Sequence, residues 1–201
     1  SGTLKSFEFY FKGKKEGNCK YFYQNGVMRT FIPYKNNKIH GKVFSYHENT
    51  CIDMISFYSN NKLNGLSIQY FDTGEVKMKR YYYYGKKQGM YKEFYKTGNL
   101  KLKVSFNRQG KKKGELKIFR ENGNLYQIQR FENDERNGYS EKYHEGGRLK
   151  SRKYYRNNIL SGYFFEYDEN GRTLVEGIFS NNTRNGLFSS YKYEENCIVK
   201  K

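Results

Sequence analysis

The sequence predicts an all-β fold: an elongated, curved single-layer array of about eight antiparallel β-hairpin repeats with a period of 24 residues. Three observations predict it. One glycine recurs at that interval along nearly the whole chain. Aromatic residues follow it at two constant distances. Between these marks lie short runs that alternate apolar with polar residues and are bounded by Asn and Gly.

The composition does not suit a thick core. Hydrophobic residues make up 36% of the 201 residues, yet aromatics alone make up 19%, with 22 Tyr and 16 Phe. Trp and Ala are absent, and Pro33 is the only proline. So few aliphatics fill a three-dimensional interior poorly. Aromatic and β-branched residues with 20 Gly suit strands and turns instead. Regular spacing and aromatic content argue against disorder in this polar chain.

The anchor glycines are Gly17, Gly41, Gly65, Gly89, Gly114, Gly138, Gly162 and Gly186. The steps are 24 residues, except one of 25 between Gly89 and Gly114, where the segment 107–113 absorbs the extra residue as a loop. Counting offsets from each anchor, offset 5 is always aromatic: Phe22, Tyr46, Tyr70, Phe94, Phe119, Tyr143, Tyr167 and Tyr191. Offset 9 is a second glycine in six repeats, replaced by Thr50 in the second and Glu195 in the eighth. Offset 17 is aromatic again, as in Tyr34, Tyr58, Tyr82, Phe106, Phe131, Tyr155 and Phe179.

Each offset has a physical reading. The anchor to the second glycine is one strand, and Gln24-Asn25-Gly26, Glu121-Asn122-Gly123 and Glu169-Asn170-Gly171 are turns, because Asn and Gly tolerate positive φ. The next segment alternates: Leu100, Leu102, Val104 and Phe106 share one parity, Lys101 and Lys103 the other, as in a half-buried strand. A second turn follows at Asn36-Asn37, Asn60-Asn61, Asn157-Asn158 and Asn181-Asn182. The buried layer is expected to combine the aromatics of offsets 5 and 17 with Met28, Ile52, Val76, Leu100, Leu125 and Leu149, the rings stacking on one face. The anchor glycines are expected to take positive φ or to let backbones approach closely. The array starts mid-repeat, with Leu4 and Tyr10 at the second-strand positions of a preceding hairpin. Residues 1–201 are read as a single repeat domain, with Ser1-Gly2 resembling a cleavage scar.

The pattern Gly-x4-aromatic-x3-Gly-x-aliphatic-x5-aromatic-x6-Gly resembles the MORN repeat. More closely, it is similar to the YwqK-type toxin–antitoxin variant of that repeat. GMYKEFYKTGNLKLKVSFNRQGKKKG and GYFFEYDENGRTLVEGIFSNNTRNG carry it most clearly, and the resemblance covers nearly all of the chain. It implies a curved ribbon of β-hairpins used for protein binding, oligomerisation or targeting to phospholipid membranes, with antitoxin or immunity roles for this variant. The family has no catalytic residues to carry over. This chain departs from it in lacking Trp and in its basicity.

Nothing in the residues points to an enzyme. Cys19, Cys51 and Cys197 are odd in number and match no paired spacing, so no disulfide framework is expected. His40, His47 and His144 have no ligand partners at metal spacing and read as surface or turn residues. Carboxylates such as Glu48, Asp72, Glu121, Glu145 and Glu169 recur at offset 7, a ladder beside the turn rather than an acid/base pair. No metal, cofactor or small-molecule substrate is expected. No apolar stretch approaches the ~18 residues that a spanning helix needs. No signal peptide is visible, but a scar at Ser1-Gly2 allows for a targeting segment removed upstream, so the compartment is left open between cytoplasmic and exported. Richness in Lys, Asn, Tyr and Ile suggests an AT-rich bacterial genome.

The formal net charge is +18, from 38 Lys and Arg against 20 Asp and Glu, which favours anionic partners. Part of it forms a pattern. Offsets 12 and 14 carry Lys77 and Lys79, then Lys101 and Lys103, then Lys150 and Arg152, with Arg29 at the first of these positions in repeat one. Tyr126 and Ile128 interrupt the series. These residues are expected to form a cationic stripe suited to anionic lipid or a polyanion. A protein partner, met through exposed Tyr and Phe, is the other expectation. Open sheet ends allow a monomer or a weak homodimer.

Overall fold

The computed structural model describes residues 2–194 and the strand Cys197–Lys200. Glu195, at the second-glycine position of the eighth repeat, lies outside the described residues, as do Ser1 and the Cys197 side chain. Among the described residues every regular element is a strand. The chain divides into two compact units, Ser1–Leu100 with Phe106–Gly110, and Lys101–Ser105 with Lys111–Lys201.

Each unit is an open antiparallel sheet whose strands pair in chain order. In the first, Ser6–Phe7 pairs with Gly17–Phe22, followed by Met28–Lys35, Gly41–Tyr46, Ile52–Ser59, Lys62–Tyr70, Val76–Tyr83 and Lys86–Phe94. In the second, Lys112–Phe119 leads to Leu125–Glu132, Gly138–Tyr143, Leu149–Arg156, Ile159–Tyr167, Thr173–Ser180, Ser189–Glu194 and Cys197–Lys200. The Ser6–Phe7 strand stands where the mid-repeat start requires it, against offsets 4 and 3 of the first full repeat.

One register repeats throughout. The anchor glycine faces the offset-17 aromatic, as Gly17 faces Tyr34, Gly41 faces Tyr58 and Gly138 faces Tyr155. Offset 2 faces offset 15, and offset 3 faces offset 14, as Val43 faces Ser56 and Phe44 faces Ile55. The ring at offset 5 faces offset 11, as Phe22 faces Met28 and Tyr46 faces Ile52. The register slips once, because offset 12 is a bulge residue with no partner in its own hairpin.

The bulge overturns one expectation. Ile52 and Met54 share sequence parity, but Ile52 faces Tyr46 and Met54 faces Ser45, so they point to opposite sides of the sheet. The offset-5 and offset-17 rings are therefore on opposite faces instead of forming one stacked layer, and each ring is only half-buried. The most buried positions lie elsewhere. Offsets 2 and 15 form a spine of mostly small side chains within each unit, Cys19, Ser56 and Ser67 in the first and Val104, Leu116, Phe164 and Gly177 in the second. Size is matched across it: Phe164 faces Gly177, and a Cβ at Gly177 would come within 2.5 Å of the Phe188 ring.

All eight anchor glycines have positive φ, from 72° to 119°. Gly65 shows why: it lies within a two-residue slip against the preceding strand, and a Cβ there would meet the Phe57 side chain at 3.2 Å. Except at the longer loop 107–111, the turns between repeats are two-residue hairpins with both central residues at positive φ, including Asn36-Asn37, Asn60-Asn61, Asn133-Asp134, Asn157-Asn158 and Asn181-Asn182. That is the type I′ geometry that matches the twist of the flanking strands.

Candidate functional site

With the register known, the two faces of each sheet can be read residue by residue. Offsets 2, 13 and 15 share the face that carries most of the buried side chains. Offsets 1, 3, 14 and 16 share the other. The large apolar side chains that remain exposed sort onto that second face. Away from the N-terminal strands and the turn tips they are Phe57 and Tyr81 at offset 16, and Met90, Tyr139, Tyr163 and Leu187 at offset 1. Offsets 1 and 16 face each other across each hairpin, as Tyr139 faces Tyr154 and Tyr163 faces Ile178. Each sheet thus carries a ridge of exposed rings and aliphatics along one row. Parity counted from the anchor glycine finds this row only when it is reversed beyond the offset-12 bulge, and the half-buried aromatics of offsets 5 and 17 masked it further in the sequence.

Beside the ridge runs the row of offsets 3 and 14, and its chemistry differs between the units. In the second unit it is neutralised internally. Glu141, its side chain only 9% exposed, takes Arg130 Nη1 at 3.2 Å and Arg152 Nη2 at 2.9 Å. Arg130 Nη2 also reaches Glu115 at 3.0 Å, and Glu115 holds Lys117 at 2.9 Å. The Lys117 ammonium keeps the Glu115 carboxyl below the ordinary carboxylate range. Arg152 also sits 5.3 Å from the centroid of the Tyr139 ring.

In the first unit the same row runs through Phe31, Phe44 and Ile55 to Ile68, Lys79 and Lys92, with Lys79 facing both Ile68 and Lys92. Lys79 and Lys92 form no ion pair among the described residues.

The residues of the expected cationic stripe fall on two kinds of position. Arg29, Lys77 and Lys150 are bulge residues at offset 12, all exposed, and Lys101 has the same offset and is exposed. Lys79, Lys103 and Arg152 have offset 14. Lys103 Nζ lies 5.9 Å from the Phe119 ring centroid, and Lys77 Nζ 5.6 Å from that of Phe71. Arg152, tied to Glu141, is a structural cation rather than a free one.

The histidines hold repeats together. His47 and His144 both occupy offset 6, and each ring Nε2 contacts the offset-5 carbonyl of the next repeat, Tyr70 at 3.4 Å and Tyr167 at 2.9 Å. The Tyr23 hydroxyl and the Arg120 guanidinium make the equivalent bonds to Tyr46 and Tyr143. His40 is exposed. Of the offset-7 acids, Asp72 pairs with Lys96 at the same offset one repeat on, at 3.2 Å. Cys19 is a fully buried free thiol and Cys51 a half-buried one. Among the described residues no group of three His, Cys, Asp or Glu could hold a metal, and no helix is long and apolar enough to cross a membrane.

The family model described as the MORN repeat variant matches residues 15–36, 87–108 and 112–133. MORN repeats are in general scaffolds that bind proteins or membranes, and are not typically enzymes. No curated protein matches the chain. Among solved structures, a TcdB2-TccC3-TEV crystal structure is 11% identical over 97% of this chain and 14% of its own, with a TM-score of 0.21. A porin-like protein from Bacteroides uniformis is 8% identical over 98% of this chain and 92% of its own, also with a TM-score of 0.21. The chain therefore spans 14% of the length of the first of these structures.

Proposed function

We propose that this array of MORN-variant repeats is a non-enzymatic scaffold that docks a protein partner along the ridge of offsets 1 and 16. The observation that supports this most is the sorting of exposed rings and aliphatics onto one row of one face, where the fold does not require them. Tyr163 at 59% exposed and Leu187 at 76% contribute little to packing in the free chain. Tyrosine and methionine are favoured at interface centres because they bury much area and lose little side-chain freedom. The ion-paired rim beside the second unit's ridge suits a protein surface, since its charges are already satisfied. A toxin neutralised by this chain, as the YwqK-type resemblance suggests, is one such partner. The test is affinity capture from extracts of the source cell with the wild-type chain and with Tyr139→Ala/Tyr163→Ala/Leu187→Ser. A partner retained by the wild type and lost by the variant supports the ridge; equal retention rejects it.

A second reading has its own support. Lys79 and Lys92, directly opposed and unneutralised, favour an anionic ligand on the first unit's face, whether acidic lipid or a polyanion. Arg29 and Lys77 in the first unit, and Lys101, Lys103 and Lys150 in the second, add positive charge to their own units in this reading. It expects binding that weakens steeply with salt and with Lys79→Glu.

A further inference from the structure

We infer that the solvent face of the strand Val76–Tyr83, with its neighbour Lys86–Phe94, binds single-stranded nucleic acid. The inference rests on the anionic reading above and narrows it to one class of polyanion.

Exposure alternates strictly along the first of these strands. Lys77, Lys79, Tyr81 and Tyr83 are exposed, while Met78 is buried and Arg80 and Tyr82 are half-buried. Lys79, Tyr81 and Tyr83 thus stand in line on one side, Tyr81 51% and Tyr83 61% exposed, whereas Lys77 is the bulge residue and does not share that line. On the next strand Lys92 faces Lys79 directly, and Lys86 is exposed near its start. Like charges directly opposite on adjacent strands repel, and a bound phosphate between them relieves that repulsion. Residues 76–100 carry seven Lys and Arg against one acidic residue, Glu93.

The rings decide which polyanion fits. Side chains two residues apart on a strand are ~6.7 Å apart, about twice the 3.4 Å rise per nucleotide along a strand. The Tyr81–Tyr83 interval therefore has the length to admit one base between rings, while the backbone runs over the lysines. Aromatic platforms beside a cationic track are how proteins hold single strands without reading sequence. A duplex keeps its bases stacked on one another and cannot use the rings. A lipid surface calls for apolar side chains that insert, whereas the tips here are hydroxyls and ammonium groups. An acidic peptide would use the lysines and leave the rings without a role.

A strained backbone accompanies the rings. Tyr84 has φ 45° as the first residue of a two-residue turn. Five other turns of this kind place Asn there, at Asn36, Asn60, Asn133, Asn157 and Asn181. A bulky residue in that region is a steric outlier. In return the Tyr84 ring packs edge-on against Tyr83, centroids 4.8 Å apart, and holds it in place.

The experiment is fluorescence anisotropy of labelled oligo(dT) and oligo(A) RNA with the full chain, from ~50 to ~300 mM salt. Duplex DNA, polyglutamate and phosphatidylserine vesicles are the comparison probes. Single strands are expected to bind more tightly than all three, with a steep salt dependence. Lys79→Glu/Lys92→Glu should remove most of the affinity and flatten the salt slope. Tyr81→Ala/Tyr83→Ala should weaken binding about tenfold or more and leave the slope unchanged. Tyr84→Asn should weaken binding while raising the unfolding midpoint, so misfolding cannot explain its loss. Equal binding of duplex or vesicles, unaffected by the tyrosine changes, would overturn the inference and leave the anionic reading standing. No binding to any probe would overturn both.

Discussion

Asn61 clasps Ile39, 22 residues earlier, at two points: its Oδ1 accepts the Ile39 N–H at 2.7 Å, and its own N–H donates to the Ile39 carbonyl at 2.9 Å. The clasp recurs between Asn37 and Lys15, Asn158 and Arg136, and Asn182 and Leu160, with Asp134 serving Lys112 in the same way. The second residue of each of these turns thus satisfies backbone groups beside the preceding anchor glycine. In repeat three Gly85 stands at this position and keeps only the backbone bond, to the Leu63 carbonyl at 2.7 Å.

Asn61→Gly preserves the positive φ of 66° and deletes the side-chain half of the clasp. It should lower stability by about 0.5–1.5 kcal/mol. Asn61→Ala should cost more, since it adds left-handed strain. Urea unfolding midpoints of the two variants check the order, and an unchanged midpoint in both would mean that the clasp contributes nothing.

Thr50 takes the place of a second glycine and holds φ 72°. A β-branched residue in the left-handed region is strained by about 1–2 kcal/mol. Thr50→Gly should therefore stabilise the protein by about 1 kcal/mol, less the added backbone freedom of the unfolded chain. Thermal unfolding measures the sign directly.

Gly177→Ala places a methyl 2.5 Å from the Phe188 ring. Overpacking of this kind should cost about 1–3 kcal/mol. Adding Phe188→Ala should recover part of that loss, giving a double-mutant cycle with a clearly non-additive term. Additive losses would show that the two positions do not share one packing site.

Burial pushes the Tyr91 phenol up to about 12, and the Glu93 carboxylate that accepts its hydroxyl adds to the effect. Burial does the same for Tyr21, also to about 12, helped by its hydrogen bond to Glu8. Both shifts favour the neutral form in the folded state. The stability they provide is fully present below the unfolded value near 10 and is lost as pH rises from about 10 to about 12. Tyrosinate absorbance should show these two phenols ionising late, with unfolding over the same interval. Tyr91→Phe should reduce that sensitivity.

Much of the fold was legible in the sequence because hairpin repeats put Gly, Asn and aromatic residues at fixed intervals. The anchor glycines, the Asn-Asn turns and the antiparallel order of strands all follow from local chain chemistry. Which residues face inward was not legible. A bulge at offset 12 reverses parity inside the second strand, so Ile52 and Met54 look equivalent in sequence and are not. The spine is also hidden, because Ser56, Ser67 and Gly177 do not look like core residues until Val43, Phe164 and Phe188 are placed beside them. The stripe was legible as charge, but Arg152 could not be told from Lys79 until Glu141 was found between Arg130 and Arg152.

The measurement that bears most directly on the docking ridge is covalent footprinting of tyrosines by mass spectrometry, with and without captured partner. In the free chain Tyr81, Tyr139 and Tyr163 should label quickly, and the more buried Tyr21, Tyr91 and Tyr143 slowly. Bound partner should protect Tyr139 and Tyr163 while the slow set stays as it was. Protection confined to the opposite face, or none at all on a stable complex, would contradict the assignment of offsets 1 and 16 as the binding row.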